Sequence, residues 1–570
     1  MNHPLLLELQ ALVADLYAAD GDVRRRAEVR RDALYREMRE LMYSASHPPL
    51  SPMKFGTSGW RGLLLEDFTV QNVACVTQAL VDTVLDARVH GALGVQDDDD
   101  LRRRGCVLAH DTRIMGPEFV DTATRILLAH GIRVIVLGMA TTPEVSAAIT
   151  ETGAAFSINF TPSHNPFQYQ GYKFNPADGG PATKELTGPV TVRAQEILVG
   201  SRQARMLDDA AFEQARRDPA RYRRADPIAL YRNALARRLP WFDLHRLIER
   251  INDSDVELYI DNGFGATRGK YERLLEGVVE GRIHVIHGGD DYLFGGKSRE
   301  PSVENFRTLQ AAMQASNARL VVGFMNDGDG DRFVGGGREA VLVMNKYGPL
   351  VVRYLAGALG VRGDVTRSVM TSHMAEAALR RYLPDGVLHE TAVGFQFLKP
   401  HIDGSVNSWE ESDGMSPRGW SRDKDGLLAA LLLVDMVLHY DKTPEALLAD
   451  AQAELGTFVF ERRKVTGAKQ GEALAQALSA RFGSVRPGQT LDVAGRPRRV
   501  ANVITLDGTK VVFDDASWFG VRASGTEPLC RPYVEVPTPA GGSPEALAVA
   551  TRDHQAIMQW LCAELRAVSG

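Results

Sequence analysis

The stretch "FTPSHNPFQYQGYKF", Phe160 to Phe174, sets a serine between a proline and a histidine directly after the strand-like run "AAFSINF". Two prolines bracketing Ser-His-Asn suit neither a helix interior nor a central strand. Ser163 is therefore expected on a stiff loop at a strand's end, which is where open α/β sheets tend to place their chemistry. Taken alone, the stretch reads as plainly as a Pro/Asn turn with a solvated hydroxyl.

Working outward, strand-like and helical runs alternate. "GCVLAHD", a helix from Glu118, "IRVIVLG" and "AAFSINF" make a first layered unit. "DVELYID", "TRGKYERLLEG", "RIHVIHG" and "ARLVVGFMND" make a second of similar composition. A third runs from about Val341, with strands near "VTRSVMTS" and "GSVNSW" and the apolar helix "KDGLLAALLLVDMVLHY". Three successive units of like make-up suggest an internal repeat. After Thr443 the pattern changes to a helix, short strands and a last helix, "ATRDHQAIMQWLCAEL", read as a smaller α+β domain. The expected division is 1–50, a helical extension; 51–225, 226–340 and 341–452, three α/β domains; and 453–570. The Arg-rich tract 194–226 is expected to form linking helices.

A chain of 570 residues, 44% hydrophobic, is long enough for several cores. A net charge of -6 offers no general basic field, so neither nucleic acid nor an anionic membrane is an expected partner. Cys75, Cys106, Cys530 and Cys562 lie far apart with no C-x-x-C, which fits a reducing cytoplasm. The N-terminal apolar run, broken by Glu8, is too short for a signal peptide or a membrane span and reads as an amphipathic helix.

Four further stretches could carry chemistry. In "NDGDGDR", Asp327, Asp329 and Asp331 alternate with glycines after an apolar strand. Three hard oxygen donors on so flexible a loop can converge on one divalent cation, and without one they would repel. The loop is no EF-hand, because Arg332 and Arg338 stand where that motif needs Gly and Glu. Mg2+ is the expected ion, and a solvated acidic turn is the alternative. "VRASGTEPLCRPYVE" gathers Arg522, Ser524, Gly525, Thr526 and Arg531, the parts of a phosphate cradle or of a polar strand cap. "SWEESDG" offers Glu410, Glu411 and Ser412 as acceptors for sugar hydroxyls, with Lys424 close in sequence; solvated charge is the other reading. "KFGTSGWRG" puts Ser58 and Arg61 in a Gly-rich loop that is otherwise a tight turn.

In this order the loops resemble those of the α-D-phosphohexomutase superfamily, the phosphoglucomutases and phosphomannomutases, over roughly Lys54 to Glu535. "TPSHNP" looks like the phosphoserine loop, "DGDGDR" the metal loop, "EES" the sugar loop and "RASGTEP" the phosphate loop. The resemblance implies four domains around a central cleft, three α/β units on mixed sheets followed by a C-terminal α+β domain. It implies that Ser163 carries a phosphoryl group and, with Asp327, Asp329 and Asp331, ligates Mg2+. It also implies that Lys173 and Arg61 serve proton transfer with His164 and Lys424 nearby in support, and that glucose 1,6-bisphosphate is intermediate and activator. A lysine base would need a depressed pKa. Arg332 and Gly394 join Ser58, Lys424 and the sugar loop as substrate contacts, and Gln396 stands where many relatives have a lysine. "KFNPADGGPA" and "EES" look more like the glucose enzymes than the mannose ones. Mannose, pentose or amino-sugar phosphates are alternatives within the superfamily, a phosphohydrolase or a non-catalytic sugar-phosphate binding protein outside it. Monomer and homodimer both remain open.

Overall fold

The computed structural model describes residues 3–44, 47–56, 59–200, 202–412, 414–469, 471–523 and 529–569. Its first sheet is built on β1 (Trp60–Leu63), β2 (Cys106–His110), β3 (Val134–Met139), β4 (Phe156–Phe160), β5 (Tyr169–Pro176) and β6 (Tyr222–Arg224), in the order β1-β5-β4-β2-β3-β6. Strands β4, β2, β3 and β6 run parallel, and β5 returns antiparallel to β4. Every residue of β4 is buried, as expected of a strand covered on both faces.

The second sheet repeats the plan. It comprises β7 (Val256–Asp261), β8 (Ile283–Ile286), β9 (Leu320–Asn326), β10 (Phe333–Gly336) and β11 (Val341–Leu342), ordered β11-β10-β9-β7-β8. The third contains β12 (Asp364–Ser368), β13 (Leu388–Thr391), β14 (Ser405–Glu410) and β15 (Gly414–Pro417), ordered β13-β12-β14-β15. Reading the shared core across, β5-β4-β2-β3, β10-β9-β7-β8 and β15-β14-β12-β13 are the same arrangement, three parallel strands and one antiparallel return. The repeat seen in composition is thus one of topology. Its consequence for function is direct: the serine loop joins β4 to β5, the aspartate loop joins β9 to β10, and the Glu411–Ser412 loop joins β14 to β15. Each occupies the same turn of its unit.

The last sheet is antiparallel: β16 (Thr457–Arg462), β17 (Val465–Thr466), β18 (Thr490–Val493), β19 (Arg496–Ile504), β20 (Thr509–Phe513), β21 (Trp518–Ala523) and β22 (Leu529–Thr538). The helix Pro544–Ser569 packs on β22. The chain separates into two compact units, Met1–Val341 with Gly419–Asp441, and Leu342–Arg418 with Lys442–Gly570. The helix Gly426–Tyr440, expected in a third unit, packs on β9 and β10 of the second sheet. It is apolar on all sides, so its periodicity could not reveal which sheet it covers.

One further reading needs adjusting. The tract 194–226 is not helical throughout: after the helix Asp209–Arg216 it supplies the edge strand β6. Residues 3–44 form three helices, α1 (Pro4–Ala11), α2 (Val13–Leu16) and α3 (Gly21–Ser44). Leu6, Leu9, Leu34, Met38 and Met42 are buried in the same core as the first sheet. Gln168 Nε2 donates to Gln10 Oε1 at 2.5 Å, and Tyr17 OH to Asp291 Oδ2 at 2.5 Å, so the extension braces the serine loop and the second sheet's Asp291 loop. Among the described residues no helix is long and apolar enough to cross a membrane.

Candidate active site

Ser163 is 2% exposed and holds φ +63°, a left-handed conformation that costs a non-glycine residue roughly 1–3 kcal/mol and persists only where the surroundings dictate it. They do. The Ser163 N–H donates to Thr161 Oγ1 at 3.0 Å, and its carbonyl accepts from Arg113 Nη2 at 3.0 Å. The same guanidinium donates to the carbonyls of Asn165 (2.6 Å) and Pro166 (2.8 Å) and to Asp111 Oδ2 (3.1 Å), and it lies 4.5 Å from the Phe294 ring centroid. Arg113 therefore clamps the whole loop by its backbone. Gly171 allows the approach of β5, since a Cβ there would sit 2.2 Å from the Thr161 carbonyl.

Ser163 Oγ donates to Asp327 Oδ2 at 2.5 Å and lies 3.4 Å from His164 Nδ1. The aspartate loop meets the serine loop because residue 328 is glycine: a Cβ on Gly328 would stand 2.7 Å from the Ser163 carbonyl. Asp327, Asp329 and Asp331 are buried, and one oxygen from each lies within 4.8 Å of the others. Asp329 Oδ2 accepts from Thr142 Oγ1 (2.7 Å) and Lys173 Nζ (2.5 Å); Asp331 Oδ2 accepts from Lys173 (2.8 Å) and faces Lys424 Nζ at 3.1 Å. Asp329 Oδ1 and Asp331 Oδ1 are buried and accept nothing. Converging all-oxygen donors with unsatisfied lone pairs fit a hard divalent cation such as Mg2+.

The charges in this cluster set one another. Burial, with Asp329 and Asp331 alongside, pushes Asp327 up to about 8. Burial would also raise Asp331, but Lys173 and Lys424 outweigh it and hold that carboxyl below its usual range. Burial would lower Lys173, yet Asp329, Asp331 and Asp423 outweigh it and keep the ammonium protonated well beyond neutral pH. Lys173 thus sits beside carboxylates and not beside cations. Arg61 lies on β1 opposite Gly171, so it shares the sheet face of Lys173; burial and the repulsion of Arg332 lower its pKa. The Arg332 backbone N–H donates to Asp327 Oδ1 at 3.1 Å.

Lys424, close to the sugar loop in sequence, belongs to this cluster through Asp331. Ser58 lies outside the described residues.

In the other compact unit, Glu410 and Glu411 are buried at the end of β14. Glu411 accepts from Ser368 Oγ (2.5 Å) and Tyr533 OH (3.3 Å), and Ser412 Oγ donates to Glu410 Oε2 (2.8 Å). Arg522 and Arg531 are directly opposite on β21 and β22, an arrangement that like charges disfavour without an anion between them. Asp507 accepts from Arg522 Nε (2.8 Å) and from the Val393 N–H (3.1 Å), which ties the arginine to the turn at Gly394, φ +127°. Ser524, Gly525 and Thr526 lie outside the described residues. Sequence reasoning passed over Arg113, Thr142 and Asp507; for Arg113 the available sign was Asp-x-Arg directly after a buried strand.

Models of the phosphoglucomutase/phosphomannomutase family match three stretches: alpha/beta/alpha domain I over residues 52–197, alpha/beta/alpha domain III over 344–455, and the C-terminal domain over 462–549. A phosphoglucomutase of Komagataeibacter xylinus is 27% identical over 530 residues, covering 84% of this chain and 87% of its own. A Thermococcus kodakarensis protein bearing a phosphoglucosamine mutase name is 26% identical over 491 residues, with 84% and 94% covered. The open form of pp63/parafusin, a Paramecium phosphoglucomutase, matches in fold with TM-score 0.72 at 19% identity, over 92% of this chain and 97% of that one.

Proposed function

Since the chain belongs to the phosphoglucomutase/phosphomannomutase family of α-D-phosphohexomutases, and is thus a phosphoryl-transferring isomerase, we propose that it interconverts glucose 1-phosphate and glucose 6-phosphate through a phosphoserine at residue 163. The observation that carries this reading is Ser163 Oγ held 2.5 Å from Asp327, within a cluster whose buried Asp329 Oδ1 and Asp331 Oδ1 accept no hydrogen bond. A bound Mg2+, held by Asp327, Asp329, Asp331 and the Ser163 oxygen, would supply charge neutralisation for the phosphoryl group.

The protein's own groups account for the rest. Arg113 and the left-handed backbone aim Oγ, which matters because transfer needs a near-attack arrangement. The Lys173 ammonium adds positive charge where the phosphoryl group sits, and Arg61 on the same face does likewise. His164 Nδ1 is the imidazole nitrogen within reach of Oγ and is the group we assign to hold a proton there. Glu410 and Glu411 accept hydrogen bonds from sugar hydroxyls, Glu411 being oriented by Ser368 and Tyr533. Arg522 and Arg531, with Ser524, Gly525 and Thr526, hold the phosphate that is not reacting. The cycle passes through glucose 1,6-bisphosphate, and the chain divides at 50, 225, 340 and 452.

Glucose is favoured over mannose by "EES" and by the Komagataeibacter phosphoglucomutase; the phosphoglucosamine mutase relative makes glucosamine the second candidate. A coupled assay of glucose 6-phosphate formation with Mg2+ and trace glucose 1,6-bisphosphate, run beside mannose and glucosamine 1-phosphates, decides among them. Glucose-preferring turnover is expected, with a loss of about 10²-fold or more in Asp329→Asn. Phosphate release without isomerisation, or turnover unaffected by a chelator, would refute the reading.

A further inference from the structure

The parallel strands β2, β3 and β6 end near the reaction loops, but their beginnings gather arginines. Arg102 and Arg103 precede β2, Arg133 precedes β3 and Arg221 precedes β6. With Gly131, Ile132 and Ala220 they line a cavity of about 480 Å³. β2 is five residues long, so this cavity lies roughly 17 Å from the opposite sheet edge, where His110 pairs with Phe160 ahead of the serine loop.

The cavity's charge is only half answered by the protein. Arg102 pairs with Asp98 (3.0 Å) and Asp99 (3.6 Å), and Arg103 pairs with Asp100. Among the described residues no carboxylate lies within ion-pair distance of Arg133 or Arg221. Arg133 Nε is buried and donates to nothing; the same holds for Nε of adjacent Arg223, whose pKa is lowered by burial and by repulsion from Arg133. A buried guanidinium donor without an acceptor is a standing cost, and here two cations incur it side by side. Arg221 is meanwhile oriented through the Leu128 carbonyl (3.0 Å), which leaves the rest of its fork for a ligand, while Arg102 is held at the rim by Asp98, Asp99 and the His130 carbonyl (3.3 Å).

We propose that this cavity is a second anion site, distinct from the Ser163 centre, for a small metabolite bearing phosphate or diphosphate. Guanidinium forks recognise phosphate oxygens in pairs, and the volume falls within the range of small-ligand pockets. A chain of net charge -6 with one such cavity does not suit a nucleic-acid track.

Titration calorimetry of the full chain with inorganic pyrophosphate tests the proposal, because its readout is binding and not turnover. The double variant Arg133→Gln/Arg221→Gln is expected to weaken one binding event by about 10-fold or more, with mutase activity unchanged, while Arg522→Ala leaves that event intact. Arg103→Gln, at the exposed rim, tests the cavity without touching buried groups and is expected to weaken the same event about threefold. Pyrophosphate that fails to bind the wild type, or binds equally to the wild type and all arginine variants of this cavity, overturns the proposal.

Discussion

Replacing Arg113 by lysine would separate positioning from charge at Ser163, the proposed phosphoryl carrier. The guanidinium makes four hydrogen bonds of 2.6 to 3.1 Å, three to loop carbonyls and one to Asp111. A lysine retains the cation but presents its donors from one point, so it can keep Asp111 and cannot span Ser163, Asn165 and Pro166. Two charged hydrogen bonds lost at ~1.5–3 kcal/mol each, less what water and loop relaxation restore, give a stability loss of about 3 kcal/mol. The larger effect is on rate. Freed of the clamp, Ser163 can leave φ +63°, and an oxygen displaced by about 1 Å costs roughly 10²-fold in kcat. The sugar and phosphate contacts assigned to other loops are untouched, so KM should stay within about threefold. Steady-state kinetics in the coupled assay, with urea denaturation of the same preparation, measure both. A destabilised Arg113→Lys enzyme with wild-type kcat, or one in which KM alone rises, would refute the clamp.

The other predictions are brief. Ser163→Ala should lose phosphate incorporation and turnover while keeping the wild-type circular dichroism spectrum; retained activity would remove the phosphoserine reading. Gly328→Ala forces a Cβ to 2.7 Å from the Ser163 carbonyl and should lower kcat with little change in the sugar loop's discrimination, measured as the glucose-to-mannose ratio. Burial raises Asp425 to about 6 even though it accepts from Trp420 and Tyr231. Its folded pKa exceeds the unfolded one, so its stabilising share is complete below about 4 and is lost as pH rises through about 6, a swing of roughly 2–3 kcal/mol. Urea unfolding at pH 4.5 and 7 should show that slope diminished in Asp425→Asn; identical slopes would refute it.

The sequence disclosed much of the site because each reacting loop is local. Ser163, the three aspartates and Glu411 each sit in a short turn directly after a buried strand, with Glu410 the last residue of its strand, so position along the chain marks them. What escaped notice is non-local. Arg113 acts on carbonyls 50 to 53 residues away, and nothing in "AHDTR" shows where its five donors go. The charge state of Lys173 depends on aspartates 156 and 158 residues distant, which no local reading of "GYKF" supplies. The helix Gly426–Tyr440 has too uniform a composition to mark its partner sheet, and β6 is three residues in an Arg-rich tract, too short to alternate.

The bracing helices also bear on biosynthesis. Tyr17 and its acceptor Asp291 are separated by 274 positions. At a ribosome adding ~5–20 residues per second, the first waits roughly 15–55 s for the second to be made. Once β6 has been made, the apolar stripe of α3, with Leu34, Met38 and Met42, can dock on the first sheet while Tyr17 still lacks its acceptor. The nascent amino-terminal segment therefore stays without this contact until the second sheet is made, and slowed translation between the first and second sheets would lengthen that interval.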